Sequence, residues 1–207
     1  CHNFDRHIMV KGDSNSSSVM FAGYGRDAMA DFMIYHSASS AKKVVSFDLD
    51  FARIDAHTLS GSMIFVNAQI ENGTLDGYII YFPANKGSSV QLLKASQVNA
   101  AAMSASSTVT SFSGVSRVAS LPAYNTSSTS SKIHIEMEID PTHLLASYAQ
   151  YERVSDGDGN TSLVAQAPVT LYDGGIENTG AGIGIGADYQ SHACSSLTRI
   201  EFSDFRM

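Results

Sequence analysis

An antiparallel two-sheet β-sandwich is the fold class that this 207-residue sequence predicts. Apolar and polar residues alternate along many short segments, which is the period of a strand with one buried face. Clusters of Gly, Asn, Asp and Ser separate these segments about every ten residues. Helical periodicity is almost absent. We therefore expect about ten or more short antiparallel strands in two facing sheets, as in a jelly roll.

The segment 44–54 predicts the clearest strand. Phe47 and Leu49 face one side of it, and Asp48 and Asp50 face the other, where we expect solvent. The same alternation or an apolar run bounded by turn residues predicts further strands. These lie at 63–70, 78–82, 90–94, 132–140, 163–172, 182–186 and 197–207.

Local signals also predict how the strands connect. Asn72-Gly73 is a strong hairpin signal, and Pro168 marks a strand edge or a bulge. Alternating glycines at 182–186 leave one strand face without side chains, which indicates close packing or a bulge. The best helical pattern lies at 92–103, so we expect a helix there.

The whole chain, residues 1–207, is expected to form a single β-sandwich domain. Residues 1–42 contribute N-terminal strands with a weaker pattern. Residues 104–131 hold 15 Ser or Thr among 28 residues, but apolar residues interrupt the run. We therefore expect a polar surface segment there rather than a linker.

Charge and composition narrow the classes of partner. The chain has 13 basic and 20 acidic residues, and no basic stripe is present to neutralise nucleic-acid phosphates. No apolar run is long enough to span a membrane as a helix. Ser and Thr total 42 residues while charged residues are only 16 %, which favours a secreted or cell-surface protein over a cytosolic enzyme.

The two cysteines, Cys1 and Cys194, permit three interpretations. A disulfide between them suits an oxidising compartment. Alternatively, Cys1 is the lipidated first residue of a bacterial lipoprotein, or both thiols are free. A chain that begins at Cys1 without Met indicates processing or excision. Four N-glycosylation sequons favour secretion from a eukaryotic cell.

Three pairs of stretches occur in a characteristic order. They are SFDLDF (46–51) before GSMIF (61–65), DGYIIY (76–81) before VQLLK (90–94), and GIGIG (182–186) before IEFSDFR (200–206). This order resembles the concanavalin A-like lectin/glucanase superfamily in its laminin-G-like form, over most of residues 43–207. The resemblance implies two stacked antiparallel sheets, one of them concave. Members bind glycans, mediate adhesion or hydrolyse glycosides, so the fold alone leaves the function open.

Glu136 and Glu138 are the candidate catalytic residues if the chain is an enzyme. They lie on one face of a predicted strand, with Asp140 two residues further on. A retaining glycosidase needs two carboxylates about 5 Å apart. The resembling glycosidases carry Glu-x-Asp-x-x-Glu, whereas this chain has Glu-x-Glu-x-Asp and no Trp for stacking on sugars. A solvated strand face is the simpler interpretation.

Asp156, Asp158 and Asn160 are the candidate metal ligands. They begin like a calcium-binding EF-hand loop, but Thr161 and Ala167 replace its glycine and its bidentate glutamate. Calcium binding therefore needs ligands from elsewhere. An ordinary hairpin tip explains the same residues, because Asp, Gly and Asn favour turns.

Tyr124, Tyr189 and Asp188 are the candidate ligand contacts, because the two tyrosines lie next to Asn or Asp in loop-like sequence. No zinc-hydrolase, serine-hydrolase or nucleotide-binding motif is present. The leading hypothesis is an extracellular, non-catalytic module that binds a glycan or glycoprotein in adhesion or glycan capture. The alternatives are a glycoside hydrolase or lyase, and a structural subunit of a viral or filament assembly.

Overall fold

The computed structural model describes residues 5–12, 17–24, 29–35, 41–51, 59–83, 87–105, 109–124, 131–189 and 198–207. Almost all of them belong to strands. The strands are β1 (Asp5–Gly12), β2 (Ser17–Tyr24), β3 (Met29–Tyr35), β4 (Lys43–Asp50), β5 (Leu59–Glu71), β6 (Thr74–Pro83), β7 (Ser89–Asn99), β8 (Val115–Ala123), β9 (Lys132–Ile139), β10 (His143–Ser155), β11 (Thr161–Ala165), β12 (Val169–Gly175), β13 (Gly182–Tyr189) and β14 (Thr198–Arg206). A short helix, α1 (Ala100–Ser104), and a 3₁₀ turn at Val109–Ser111 lie between β7 and β8.

The strands form two antiparallel sheets. The larger one, sheet A, has the order β1-β2-β14-β4-β9-β10-β11, and β12 also pairs with β10. The smaller one, sheet B, has the order β3-β13-β5-β6-β7-β8. This topology confirms the predicted two-sheet antiparallel β-sandwich. None of the helices in the described part of the chain has the length and apolarity needed to cross a membrane.

The main core lies between the facing sheets. Sheet A contributes Phe47 and Ile135, and sheet B contributes Ile64 and Ile80, all of them buried in one cluster. The alternation that predicted β4 and β9 therefore turns their apolar residues inward, as a strand with one buried face requires. We call the face of sheet A that is turned away from sheet B its outer face.

The central strands of sheet B, β5 to β7, are buried on both faces over much of their length. The second face of sheet B packs Phe65, Ile79 and Leu93 against Met103 of α1. The Ser104 hydroxyl donates a hydrogen bond of 2.8 Å to the carbonyl of Ala30 in β3. The segment after β7 therefore acts as a cover over sheet B.

The helix expected at 92–103 is wrong over residues 92–99, which belong to β7; the helix itself covers only Ala100–Ser104. Leu92 is buried towards sheet A, and Leu93 is buried towards α1. Because both faces of the strand are covered, apolar residues run together and the alternation that marks a strand disappears.

Two local predictions are confirmed. Asn72 and Gly73 form the turn between β5 and β6 with φ of 50° and 78°, the left-handed values that a tight hairpin requires. Close packing explains the alternating glycines, since a Cβ at Gly184 would lie 2.5 Å from the Met33 carbonyl oxygen. A Cβ at Gly186 would lie 2.5 Å from the Asp31 carbonyl oxygen.

Candidate functional site

Two neighbouring strands place a carboxylate and an imidazole side by side on the outer face of sheet A. Asp48 in β4 lies directly opposite His134 in β9. Directly paired residues of antiparallel strands project to the same face. Because Phe47 and Ile135 point into the core, Asp48 and His134 both point outward.

Three side chains contact the Asp48 carboxylate. His134 Nδ1 lies 2.7 Å from Oδ1, and Lys132 Nζ lies 2.9 Å from Oδ2. The Tyr151 hydroxyl, from β10, donates to Oδ1 at 3.1 Å. Asp48 is only 2 % exposed. The expectation that Asp48 faces solvent is therefore wrong, because these three side chains cover it.

The charge on Asp48 is stabilised by its neighbours. Burial acts to raise the pKa of Asp48, but hydrogen bonds from Lys132, His134 and Tyr151 outweigh it and hold that pKa below its ordinary value. Burial and the charge of Asp48 in turn raise the pKa of Tyr151 to about 12. Asp48 therefore stays ionised near neutral pH and orients the groups around it.

One more carboxylate completes the arrangement. Glu136 Oε1 lies 3.3 Å from His134 Nε2, so the imidazole bridges two carboxylates. Both contacts are hydrogen bonds only when the ring carries both protons. Lys132 Nζ also lies 5.1 Å from the centre of the Tyr151 ring, in a cation–π contact. We call Asp48, Lys132, His134, Glu136 and Tyr151 the Asp48 cluster.

The predicted catalytic pair lies on the outer face of β9. Side chains two residues apart on a strand are separated by about 7 Å along it. The side chains of Glu136 and Glu138 are 65 % and 45 % exposed, and Glu138 is paired with Lys42. A glycosidase acid needs an apolar surrounding to keep its proton. Two water-exposed carboxylates describe a solvated strand face, so this geometry gives the hydrolase alternative no support.

The predicted calcium loop is a self-contained hairpin tip between β10 and β11. Asp156 Oδ1 accepts backbone N–H groups of Asp158 at 3.0 Å and of Asn160 at 2.8 Å, and Oδ2 accepts the Asn160 side-chain amide at 3.1 Å. Gly159 supplies the left-handed turn with φ of 83°. The Asp156 carboxylate therefore organises the turn, and calcium binding by Asp156, Asp158 and Asn160 stays a prediction. The described part of the chain holds no group of three or more His, Cys, Asp or Glu side chains placed to bind a metal.

Tyr124 is a core residue, which corrects its predicted role as a ligand contact. It is fully buried and stacks on Phe51 with ring centres 5.2 Å apart. Its hydroxyl donates a hydrogen bond of 2.7 Å to the carbonyl of Pro83. With its ring enclosed and its hydroxyl bonded to the backbone, Tyr124 has no surface left for a sugar.

Tyr189 and Asp188, at the end of β13, are also interior, so their predicted ligand contact is corrected as well. Tyr189 belongs to the core between the sheets. Asp188 faces the second core and is 1 % exposed; it accepts a hydrogen bond of 2.9 Å from the Tyr81 hydroxyl. Burial raises the pKa of Asp188 to about 7, against the opposing effects of Tyr81 and the Val109 backbone.

Cys1 and Cys194 lie outside the described residues, so their proposed disulfide remains a prediction.

Sequence reasoning did not predict that the residues of the Asp48 cluster lie together. The alternation of apolar and polar residues along β4 and β9 already indicated that Asp48, His134 and Glu136 point outward. What the sequence lacked was the register that joins β4 to β9.

The fold and the site together define an antiparallel β-sandwich with an ordered polar cluster on the outer face of its larger sheet. No protein-family model matches the chain, and no curated protein matches it. Solved structures with similar folds include a xylan β-1,4-xylosidase from Bacillus halodurans, at 7 % identity and a TM-score of 0.44, covering 99 % of this chain and 39 % of that one.

Two further solved structures are similar in fold; one is a carbohydrate-binding module, and the other is a calcium-bound form. The carbohydrate-binding module CBM66 from Bacillus subtilis is 10 % identical with a TM-score of 0.36, covering 95 % of this chain and 94 % of that one. The calcium-bound lumenal domain of VIP36 is 7 % identical with a TM-score of 0.38, covering 96 % and 82 %. Because these TM-scores are low, the fold is assigned from the strand topology of this chain.

Proposed function

We propose that this chain is an extracellular, non-catalytic β-sandwich module that binds a glycan or glycoprotein at the Asp48 cluster, in adhesion or glycan capture. The observation that carries the proposal is the buried Asp48 carboxylate. It holds Lys132, His134 and Tyr151 in fixed positions on the outer face of sheet A. Side chains that are already ordered lose little conformational entropy when a ligand binds.

The chemistry of the cluster supports a sugar ligand. Lys132 supplies N–H donors, and the exposed Glu136 carboxylate supplies acceptors. Sugar hydroxyls both donate and accept, so they match a patch that offers both. The Tyr151 ring adds an aromatic surface beside these groups. The net charge of −7 disfavours a polyanionic ligand and leaves neutral glycans as the better match.

A glycan array with two matched variants tests the proposal. Glu136→Gln removes the exposed charge of the cluster, and Glu138→Gln removes a carboxylate on the same strand face but outside the cluster. We expect the wild type and Glu138→Gln to bind the same glycans, and Glu136→Gln to bind them about tenfold more weakly or not at all. If both variants bind the glycans equally, glycan binding at the Asp48 cluster is contradicted.

Two further measurements separate the alternatives. Repeating the array with EDTA tests whether glycan binding needs calcium. We expect binding to survive chelation, because the Asp156 loop is held together by its own hydrogen bonds. Incubation with polysaccharides tests the hydrolase: release of reducing ends by the wild type, abolished in Glu136→Gln, overturns the non-catalytic assignment. An array without any binding, from folded protein, favours the structural-subunit alternative.

A further inference from the structure

The hairpin of β10 and β11 carries sheet A beyond the end of β9. β11 (Thr161–Ala165) pairs with residues 151–155 of β10, whereas β9 pairs with β10 only as far as Gln150. All five residues of β11 are exposed, and β10 is its one partner among the described strands. A two-stranded hairpin is marginally stable by itself in water. β11 is therefore an exposed edge strand of sheet A.

The backbone groups of three β11 residues point away from β10. The N–H group of Gln166 donates a hydrogen bond of 2.7 Å to the Gln150 carbonyl. Along an antiparallel ladder, pairs that exchange hydrogen bonds alternate with pairs that do not. The β11 residues of the second kind, whose N–H and C=O groups face the outer edge of the strand, are Thr161, Leu163 and Ala165.

β11 lacks the features that protect the other sheet edges. Natural edge strands carry charged residues, Pro or bulges, which discourage pairing with another chain. Among the other strands at the described sheet edges, β1, β3 and β12 each contain a charged residue, and β8 contains Arg117 and Pro122. β11, with the sequence TSLVA, has neither a charge nor Pro. Leu163 and Val164 are 42 % and 43 % exposed on it. Its edge is therefore open to an additional strand.

The outward backbone groups of β11 are symmetric about Leu163, so a second copy of β11 fits them. When two copies pair antiparallel with Leu163 opposite Leu163, Thr161 of each copy lies opposite Ala165 of the other. Each of these pairs can then exchange backbone hydrogen bonds. Because β11 is uncharged, no like charges lie opposite each other. The acidic hairpin tips, which hold Asp156 and Asp158, lie at opposite ends of such a pair, whereas parallel pairing would bring them together.

We propose that two copies of this chain form a symmetric dimer by pairing their β11 strands antiparallel, so that sheet A continues from one copy into the other. Directly paired residues of antiparallel strands project to the same face, so the two Leu163 side chains lie side by side at the two-fold axis. An interface that uses the same patch on both copies closes at two copies.

The dimer also sets the direction of the candidate glycan sites. Tyr151 pairs with Ala165, and Leu163 lies two residues from Ala165 on the same face. Leu163 therefore shares the outer face of sheet A with Tyr151, and the joined sheet turns both Asp48 clusters to one side. Bivalent glycan binding rests on the proposed function, whereas the pairing of β11 does not depend on it.

Sedimentation velocity over a concentration series reaching about 0.5 mM tests the pairing, and we expect a reversible dimer with a Kd of about 0.1 mM or lower. Leu163→Lys and Leu163→Glu should each weaken dimerisation about tenfold or more, because like charges meet at the two-fold axis. An equimolar mixture of these two variants should restore the dimer, because opposite charges then face each other. Val118→Lys is the matched control, since Val118 is 48 % exposed on β8, an edge strand of sheet B.

Amide exchange measured by NMR locates the contact. The N–H groups of Thr161, Leu163 and Ala165 should exchange more slowly at high than at low protein concentration. The N–H group of Ser162 faces β10 and should change little. Circular dichroism checks that each variant is folded.

Three results overturn the proposal. The first is a wild type that stays monomeric at every concentration. The second is a dimer that Leu163→Lys weakens no more than Val118→Lys does. The third is a mixture of Leu163→Lys and Leu163→Glu that stays monomeric, which contradicts antiparallel pairing about Leu163. None of these measurements involves a glycan, so they decide dimerisation separately from the proposed function.

Discussion

Tyr81 reaches Asp188 across Gly61. The Tyr81 hydroxyl, from β6, donates a hydrogen bond of 2.9 Å to the Asp188 carboxylate in β13, and Gly61 lies in β5 between them. A Cβ at Gly61 would lie 2.5 Å from Tyr81 Cζ. The missing side chain therefore allows a polar contact to form inside the second core, where an unpartnered carboxyl would be costly.

Asp188→Asn should change how stability depends on pH. The pKa of Asp188 is raised to about 7, so the folded chain keeps a proton that the unfolded chain releases near pH 4. The contribution of Asp188 to the free energy of unfolding is therefore largest below about pH 4 and falls as pH rises to about 7. Asp188→Asn should flatten this part of the profile and exceed the wild type in stability at pH 8.

Urea unfolding at pH 5 and pH 8 measures this difference. Asp158→Asn, at the exposed hairpin tip, serves as the control and should keep the wild-type dependence. A wild-type pH dependence in Asp188→Asn contradicts a carboxyl whose proton is retained by burial.

Gly61→Ala should destabilise the fold by about 1–3 kcal/mol, because the added methyl group displaces the Tyr81 ring. Gly157→Ala is the matched control, since a Cβ there meets nothing within 4 Å. Urea midpoints of the two variants at one pH make the comparison. Equal midpoints would show that Tyr81 moves aside without cost.

Asp48→Asn should lower the free energy of unfolding by about 1.5–3 kcal/mol at pH 7, since an amide cannot replace the charge that Lys132 and His134 contact. The pKa of Asp48 is lowered, so its contribution is complete above about pH 4 and is lost as pH falls further. The variant and the wild type should therefore converge towards pH 2.

The exposed Glu136 provides the control for Asp48. Glu136→Gln should stay within about 0.5 kcal/mol of the wild type across this range. Thermal and urea unfolding at pH 7 and pH 3 record both variants. A stability gap that persists unchanged at pH 3 would place the effect of Asp48→Asn in packing rather than in charge.

Asp156→Ala should loosen the β10–β11 tip without affecting the sheets. Asp156 accepts the Asn160 side-chain amide and the backbone N–H groups of Asn160 and Asp158, and these hydrogen bonds hold its pKa below the ordinary value. Amide exchange measured by NMR should accelerate at Asp158 and Asn160 and remain unchanged in β9. Added calcium should leave these rates unaltered in the wild type, and protection that depends on calcium would reverse the assignment of this loop.

Local pattern was a reliable guide where one face of a strand is buried. Alternation placed Phe47 and Ile135 in the core, and Asn72-Gly73 marked its hairpin. It failed at 92–99, where burial on both faces removes the alternation that distinguishes a strand from a helix. It also failed at Tyr124, because a loop-like sequence context says nothing about which core a ring enters.

The sequence by itself determined the fold class and the direction in which each side chain of β4 and β9 points, because both follow from the two-residue period of a strand. Only the tertiary structure decided that Asp48 is buried and that Asp188 lies in a second core. Asp48 depends on His134, 86 residues away, and on Tyr151, 103 residues away. Such contacts arise from strand register and sheet packing, which no local pattern specifies.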